Sequence, residues 1–408
     1  MGKYRIITLG CRTNQYESQG YTDQLRQMGY TAALDGEEAD LCIVNTCTVT
    51  ESADSSSRHQ IRALVHHHPK ARIAVTGCMA ESAPDAIRSI DERIEIIPNG
   101  QKEKLLDHLF PDEENLPEFN IRNFDAHTRA FVKVQDGCSS FCTYCIIPYV
   151  RGRSRSRPIA DIVAEVQGLV ANGYKEVVLT GINIGDFDGG GRLADLVRAV
   201  DQVEGLQRLR ISSIDPDEVD DDLADAVLQG RITCPSMHIV LQAGSNAILK
   251  RMNRKYTRQI FLKTVDRLKQ AHPDFTFTTD VIVGFPGESE ADFGETLEIV
   301  EQVQFAKVHM FPFSPRKRTR AALYPNRVAT EVIQERKQRL LRLAEKTAFA
   351  LRQRYVGKTM SVLVETGGTG HTANFLPVQI ANASSLKPHD LVQVRLAENQ
   401  PDGLIGWI

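Results

Sequence analysis

Four times within the first hundred residues a short β-branched run gives way to another kind of segment, and three of the four runs end on a cysteine. The runs are YRIITLG, ADLCIVNT, ARIAVTG and RIEIIPN, with ESQGYTDQLRQMG and SSSRHQIRALVHHH as amphipathic helical patterns between them. Strands that alternate with helices predict a parallel α/β sheet, because each crossover lays a helix on the sheet. In an open parallel sheet the carboxyl ends of the strands line one crevice. Cys11 of TLGC, Cys47 of VNTC and Cys78 of VTGC are therefore predicted to converge although they lie far apart in the chain. Dispersed free cysteines are ordinarily packing residues, but three at equivalent strand ends point to a ligand set. Cys42 inside DLCIVN and Cys234 inside ITCPS match no such pattern and are assigned to packing.

An acidic linker, FPDEENLPEF (110–119), precedes a second series of runs: AFVKVQ, EVVLTG, LRISSI, MHIVLQ, FTTDVIVGF and AKVHMFPF. Six β/α units predict an incomplete, TIM-like (β/α)6 barrel, short of the eight that close one. Directly after the first of these strands, DGCSSFCTYCIIPYV places Cys138, Cys142 and Cys145 at C-x3-C-x2-C spacing on what would be the C-terminal mouth. A long helix, EVIQERKQRLLRLAEKTAFALRQRYVG, closes this region, and MSVLVET, NFLPVQI, LVQVRLA and LIGWI then predict a small all-β barrel. The expected division is an N-terminal domain over 1–114, a core domain over 124–354 and a terminal barrel over 356–408.

The chain opens on a short apolar run, MGKYRIITLGC, too brief for a secretory h-region, and no stretch has the length of a membrane span. A cytoplasmic, reducing setting with no membrane partner is the expectation, and there clustered cysteines more often bind metal or do redox chemistry than form bridges. Three thiolates can hold three irons of a cubane cluster and leave the fourth open to another ligand. Structural zinc wants four nitrogen or sulfur ligands, and the flanks of the triplet offer no histidine. The net charge of −3 cannot attract a polyanion, so any nucleic-acid role must rest on local patches: RGRSRSR (151–157), KRMNRKYTR (250–258) and RKRTR (316–320).

The C-x3-C-x2-C triplet resembles that of the radical S-adenosylmethionine (SAM) enzymes. Together with TLGCRTNQYES, VNTCTVT, VTGCMAE, IIPYVRGRSRSRP, TGINIGDF, ISSIDPDEV, LQAGSNAILKRMNRKYT, TDVIVGFPGE and FPFSPRKRT, it resembles the methylthiotransferases among them, nearly end to end. The resemblance implies a 4Fe-4S cluster on Cys138, Cys142 and Cys145 whose open iron chelates SAM. It implies a second 4Fe-4S cluster on Cys11, Cys47 and Cys78. It also implies a TRAM-like RNA-binding module at the C-terminus. In such enzymes one SAM methylates sulfur carried at the second cluster, and another supplies the radical that functionalises an aromatic C–H bond. A low-potential electron donor and a sulfur donor are implied partners. LGCRTNQYES, TGINIGDF and SPRKRT look most like the branch acting on N6-threonylcarbamoyladenosine next to the tRNA anticodon. The branches acting on N6-isopentenyladenosine or on a ribosomal-protein aspartate are the nearer alternatives, and a non-catalytic iron-sulfur RNA-binding protein the remoter one.

Polar or small residues at the barrel strand ends are candidates for SAM contact: Gly181 and Asn183 of TGIN, Ser212 after the third strand, Gln242 of LQAGS and Asp280 of TTDVIVGF. Each alone is more often a loop cap. Arg151, Arg153, Arg155 and Arg157 alternate with Gly and Ser, a spacing that builds no apolar face; beside a radical site they are expected to meet phosphate. Arg316, Lys317 and Arg318 are expected to meet RNA as well, and to supply a charge that pairs with a substrate carboxylate.

Overall fold

The computed structural model describes residues 2–125 and 127–408. The N-terminal sheet contains β1 (Lys3–Thr8), β2 (Thr31–Ala32), β3 (Leu41–Thr46), β4 (Arg72–Gly77) and β5 (Ile94–Ile96), all parallel, in the order β2-β1-β3-β4-β5. β3 reads LCIVNT and every one of its residues is buried, as expected of a central strand covered on both faces. The full burial of Ile43 and Val44 contributes roughly 1.5–3 kcal/mol each. Helices α1 (Arg12–Gln27), α2 (Glu51–His67) and α3 (Cys78–Ser82) each begin within a few residues of a strand end. α1 starts earlier than its apolar pattern suggests, because Thr13, Asn14, Glu17 and Ser18 in its first turns are buried polar residues.

The core domain is an open barrel. β6 (Ala130–Lys133) leads into a two-residue antiparallel pair, β7 (Gln135–Asp136) with β8 (Arg155–Ser156), which brackets the cysteine loop. β9 (Glu176–Thr180), β10 (Arg208–Ile211), β11 (Ser236–His238), β12 (Thr276–Val283) and β13 (Lys307–Pro312) complete the wall. β6, β9 and β10 pair in parallel, as do β11, β12 and β13. Parallel bridges Leu209–Thr233 and Ile214–Ile239 join the two halves. The expected six strands are therefore present, with the lateral gap between β6 and β13 facing α1 of the N-terminal domain. The largest apolar core lies behind this wall and includes Val132, Leu179, Leu241 and Phe293.

The helix Thr330–Gln353 leads to β14 (Thr359–Val364), β15 (Thr369–Thr372), β16 (Pro377–Ile380), β17 (Leu391–Gln400) and β18 (Gly403–Trp407), a closed barrel. It has one strand more than the four apolar runs indicate, since β15 reads TGHT and carries no apolar alternation. This barrel plugs the N-terminal end of the open one. Arg208 donates to the Ser361 carbonyl at 2.7 Å and Arg210 to the Ala373 carbonyl at 2.8 Å. No helix among the described residues is long and apolar enough to cross a membrane.

Candidate active site

Cys11 is the N-cap of α1, Cys47 follows β3 directly and Cys78 opens α3 at the end of β4. Register holds these ends together, Thr8 lying beside Asn45 and Thr46 beside Gly77. Gly10 approaches so closely that a Cβ there would stand 2.8 Å from the Cys47 Sγ, and its φ of +90° is one that side chains rarely adopt. The Cys11 Sγ lies 3.7 Å from Asn14 Oδ1, and that oxygen accepts from Arg151, whose Nε stands 3.4 Å from the Cys78 Sγ. Burial pushes the Cys47 thiol up to about 11, with Cys78 and Cys11 adding to the rise.

Cys138, Cys142 and Cys145 lie on the loop between β7 and β8. Gly137, at φ +73°, lets the chain pass against the Arg153 carbonyl, 2.1 Å from where a Cβ would sit. The Ser140 N–H donates to the Cys138 Sγ at 3.4 Å and Arg254 Nη1 to the Cys142 Sγ at 3.0 Å. Burial raises Cys145 to about 12, and the charge of Cys142 pushes the same way. The two thiol sets share a wall: Cys78 packs with Ile146, Ile147 and Val150, the turn that follows Cys145, and Cys138 and Cys145 flank the same cluster. Cys42 and Cys234 belong to neither set: Cys42 packs in an apolar core and Cys234 lies near Arg208, Arg210 and Glu176, and burial raises the two thiols to about 12 and about 11.

Among the described residues no three Cys, His, Asp or Glu side chains close on a single ion. A lone zinc draws its thiolates to about 2.3 Å from one point, whereas a cubane spreads them over separate irons. The N–H donors aimed at Cys78, Cys138 and Cys142 are the hydrogen bonds that thiolate ligands of a cluster take. The residues fit two clusters.

Next to the second thiol set, the N–H groups of Ile182 and Asn183 donate to Gln135 Oε1 at 2.9 and 3.0 Å, and Gly181 packs on the same side chain. Gln135 Nε2 returns to the Gly137 carbonyl at 2.7 Å, so one amide ties the 181–183 loop to the cysteine loop. Asn183 Nδ2 donates to Glu218 Oε1 at 3.0 Å. Burial, with Asp215 adding to it, pushes Glu218 up to about 7. Ser212 Oγ and Gln242 Oε1 are buried without a partner, and Gln242 holds a φ of +60°. Unpaired buried acceptors and left-handed backbone are costly unless a ligand completes them, so this mouth fits a polar molecule such as SAM. Asp280 faces the lumen, 3.4 Å from His238 Nε2.

The arginine run divides. Arg151, expected at the RNA, is not at the surface: its side chain is 0% exposed and reaches Glu17 at 3.2 Å and Asp136 at 2.8 Å. Lys102 meets the same two carboxylates at 2.6 and 2.5 Å, and Lys133 meets Glu17 and Glu103. Burial would raise Glu17, but Lys102, Arg151 and Lys133 pull it down to about 2. Arg157 is committed to Glu165 at 2.6 Å and to the Tyr16 hydroxyl at 3.0 Å. Arg316 is likewise committed, to Asp54 at 2.5 Å and to Thr48 at 2.8 Å. These three are corrections to the expected RNA set, each with an internal counter-charge, distant in sequence for Arg151 and Arg316 and eight residues on for Arg157. Arg153, Arg155, Lys317 and Arg318 are exposed. Arg153 stacks over Phe141 at 5.1 Å and Arg318 over Tyr149 at 5.0 Å, and the two rings meet edge-on. Sequence reading missed Phe141, Tyr149, Gln135 and Glu218. SSFCTYC and CIIPY carried the aromatic signal, but nothing in the chain marked Gln135.

An open parallel barrel with a C-x3-C-x2-C loop at its mouth, joined to a parallel domain with three thiols at its strand ends, defines a radical SAM enzyme with a second cluster site. Residues 3–98 match the uncharacterized protein family UPF0004 and residues 132–300 the radical SAM superfamily. The chain is 50% identical over its whole length to 98% of the threonylcarbamoyladenosine tRNA methylthiotransferase MtaB of Chlamydia pneumoniae. It is 38% identical, over 90% of its length, to 87% of MtaB of Thermotoga maritima. A tRNA-2-methylthio-N(6)-dimethylallyladenosine synthase of Corynebacterium efficiens is 34% identical over 98% of the chain and 84% of that protein. The chain belongs to the radical SAM methylthiotransferase family. Its fold is shared at TM-score 0.55 and 14% identity with the radical SAM methyltransferase TsrM of Kitasatospora setae, over 76% of this chain and 75% of that one.

Proposed function

We infer that this protein adds a methylthio group to C2 of N6-threonylcarbamoyladenosine beside the anticodon of tRNA. The single observation that carries this reading is the identity of 50% over the full chain to an enzyme named for that substrate. In this reading SAM and the two 4Fe-4S clusters, when bound, supply the radical and the sulfur that an unreactive aromatic C–H bond requires.

The chain's own residues do the positioning. Cys138, Cys142 and Cys145 hold one cluster and Cys11, Cys47 and Cys78 the other, with the turn 146–150 between them excluding water. Asn183, held by Gln135 and Glu218, and the unpaired Ser212 and Gln242 orient SAM, with Gly181 and Asp280 completing the cup. Arg153, Arg155, Lys317 and Arg318 draw in the anticodon stem-loop, and Phe141 and Tyr149 offer rings for its bases to stack on. The units 1–114, 124–354 and 356–408 serve as the second-cluster domain, the SAM domain and the TRAM-like RNA-binding barrel. A low-potential reductant, a sulfur donor and a cytoplasmic location follow from the same reading.

The test is anaerobic reconstitution followed by mass spectrometry of anticodon stem-loops carrying either modified adenosine. Methylthio product on the threonylcarbamoyl form with release of 5′-deoxyadenosine is expected. Preference for the isopentenyl form would move the protein to the other branch, and absence of 5′-deoxyadenosine would make it a binding module.

A further inference from the structure

The floor of the barrel lumen holds more positive charge than the protein itself neutralises. On one level of the wall Phe131 pairs with Val178, Val178 with Arg210, and His238 with Thr278. Arg12, the first residue of α1, reaches in from the N-terminal domain and sets its guanidinium 5.5 Å from the Phe131 ring centre. Arg208 and Arg210 share Glu176 at 3.4 and 2.6 Å, and Arg129 pairs with Glu365 at 3.1 Å. Asp280, 3.4 Å from His238 Nε2, is the third carboxylate of this level. Four guanidiniums against three carboxylates leave one positive charge. Arg12 is the one left over, with no hydrogen bond or ion pair among the described residues. Its side chain is exposed to solvent and so is open to a ligand. It lines two adjoining cavities, of about 70 Å³ and about 580 Å³. In the larger one Lys307 and Arg352 are balanced by Glu345 and Asp402, so no spare anion comes from that side.

We propose that Arg12 receives the carboxylate carried by the N6 substituent of the substrate adenosine and so decides which modified adenosine is accepted. The proposal rests on the reading of the protein as a methylthiotransferase of threonylcarbamoyladenosine. Arg12 directly follows Cys11, so its side chain leaves the backbone beside the crevice where the sulfur would be delivered. C2 and C6 flank N1, so their exocyclic bonds diverge, and a base whose C2 faces Cys11, Cys47 and Cys78 can direct its N6 substituent along the wall into the lumen. A guanidinium presents a planar fork that a carboxylate fills with two hydrogen bonds. An apolar substituent leaves it desolvated and unpaired, the kind of mismatch that discriminates most strongly. Arg316, committed to Asp54, has no such freedom.

The test measures kcat/KM of the reconstituted holoenzyme and its R12Q and R12K variants on three stem-loops, carrying threonylcarbamoyladenosine, its methyl ester or isopentenyladenosine. Stem-loop affinity without SAM, SAM affinity and iron content are read alongside. Wild type is expected to prefer the acid over the ester by roughly 100-fold, in kcat/KM and in the same direction in affinity. R12Q should lose about that factor on the acid and little on the ester, and R12K should recover part of it. Equal losses on acid and ester, or no loss on either, would overturn the proposal. So would weakened SAM affinity with the acid-to-ester ratio intact, which would place the SAM carboxylate on Arg12. A wild-type enzyme that takes the isopentenyl form and refuses the acid overturns the functional reading itself. Wild type active on the acid, with R12Q equally selective, overturns Arg12 alone.

Discussion

The two thiol sites are built in opposite ways. Cys138, Cys142 and Cys145 come from a single loop whose shape is set locally, by Gly137 and by the β7–β8 pair at its ends. Cys11, Cys47 and Cys78 come from three strand ends and meet only because β1, β3 and β4 lie side by side in register. The first site depends on a loop and the second on a whole sheet. The second also depends on the core domain, since Arg151, which follows the cysteine loop, reaches back to Cys78 and Asn14. A local site should survive damage to its neighbour better than a distributed one.

The largest effects test whether the sites are separable at all. Replacing Cys138, Cys142 and Cys145 by Ala is expected to remove about half the iron and to abolish SAM cleavage, with no cluster left to deliver the electron. Replacing Cys11, Cys47 and Cys78 should remove the other half and abolish methylthio product while 5′-deoxyadenosine release continues. Iron analysis with product chromatography reads both. Full iron and product in the second variant would refute the distributed site.

Next in size is Arg151→Met. It leaves the buried Glu17 and Asp136 to Lys102, Lys133 and the more distant Arg155 at 3.9 Å, and breaking a buried pair in this way typically costs about 3–5 kcal/mol. Denaturant unfolding should show a loss of that order, and iron should fall selectively at the Cys11, Cys47 and Cys78 site. Equal iron loss at both sites would mean that the joint serves the fold and not the distributed site.

What the chain disclosed follows the same division. The triplet was legible from spacing, and the convergence of Cys11, Cys47 and Cys78 from strand–helix alternation, because both are written in local pattern. The two-residue strand β2 and the polar strand β15 were not, having no apolar alternation to mark them. RGRSRSR reads as uniform surface charge, yet Arg151 is interior and Arg153 is not. The difference lies in Glu17 and Asp136, and Glu17 stands 134 residues away. Arg12 was hidden for the complementary reason: what matters about it is a partner that the fold fails to provide.

Two buried carboxylates near the sites sharpen the comparison through pH. Glu17, at about 2, favours the native state above its ordinary value near 4.5, and that stability is lost as pH falls toward 2. Glu218 has the opposite sign. With its native pKa up at about 7, the folded protein holds a proton that the unfolded chain releases near 4.5, so stability falls as pH rises between those values. Glu218→Gln keeps an oxygen for Asn183 and removes the buried charge. The variant should be more stable than wild type above pH 7, by on the order of 2 kcal/mol, and the gain should vanish toward pH 4.5. Thermal unfolding at pH 8 and pH 5 measures it. A gain at pH 5 as large as that at pH 8 would show that packing, and not ionisation, is responsible.

The smallest effect separates arginines that look alike in sequence. If exposed Arg153 and Lys317 meet phosphate, replacing either by Ala should flatten the plot of log affinity against log salt for the stem-loop by roughly 0.7–0.9. Arg157→Ala should leave that slope unchanged, because its charge is already spent on Glu165 and the Tyr16 hydroxyl at 2.6 and 3.0 Å. It should lower stability instead, since Glu165 becomes a buried carboxylate without its partner. Truncation of the terminal barrel cannot replace these point changes as a test of RNA binding. Removing it from Thr359 onward strips the Ser361 and Ala373 carbonyls from Arg208 and Arg210, so affinity would fall through the fold as well as through any lost contact. Fluorescence anisotropy across a salt series distinguishes the two kinds of arginine. An Arg157→Ala slope that falls as far as that of Arg153→Ala would mean the Glu165 pair opens to RNA.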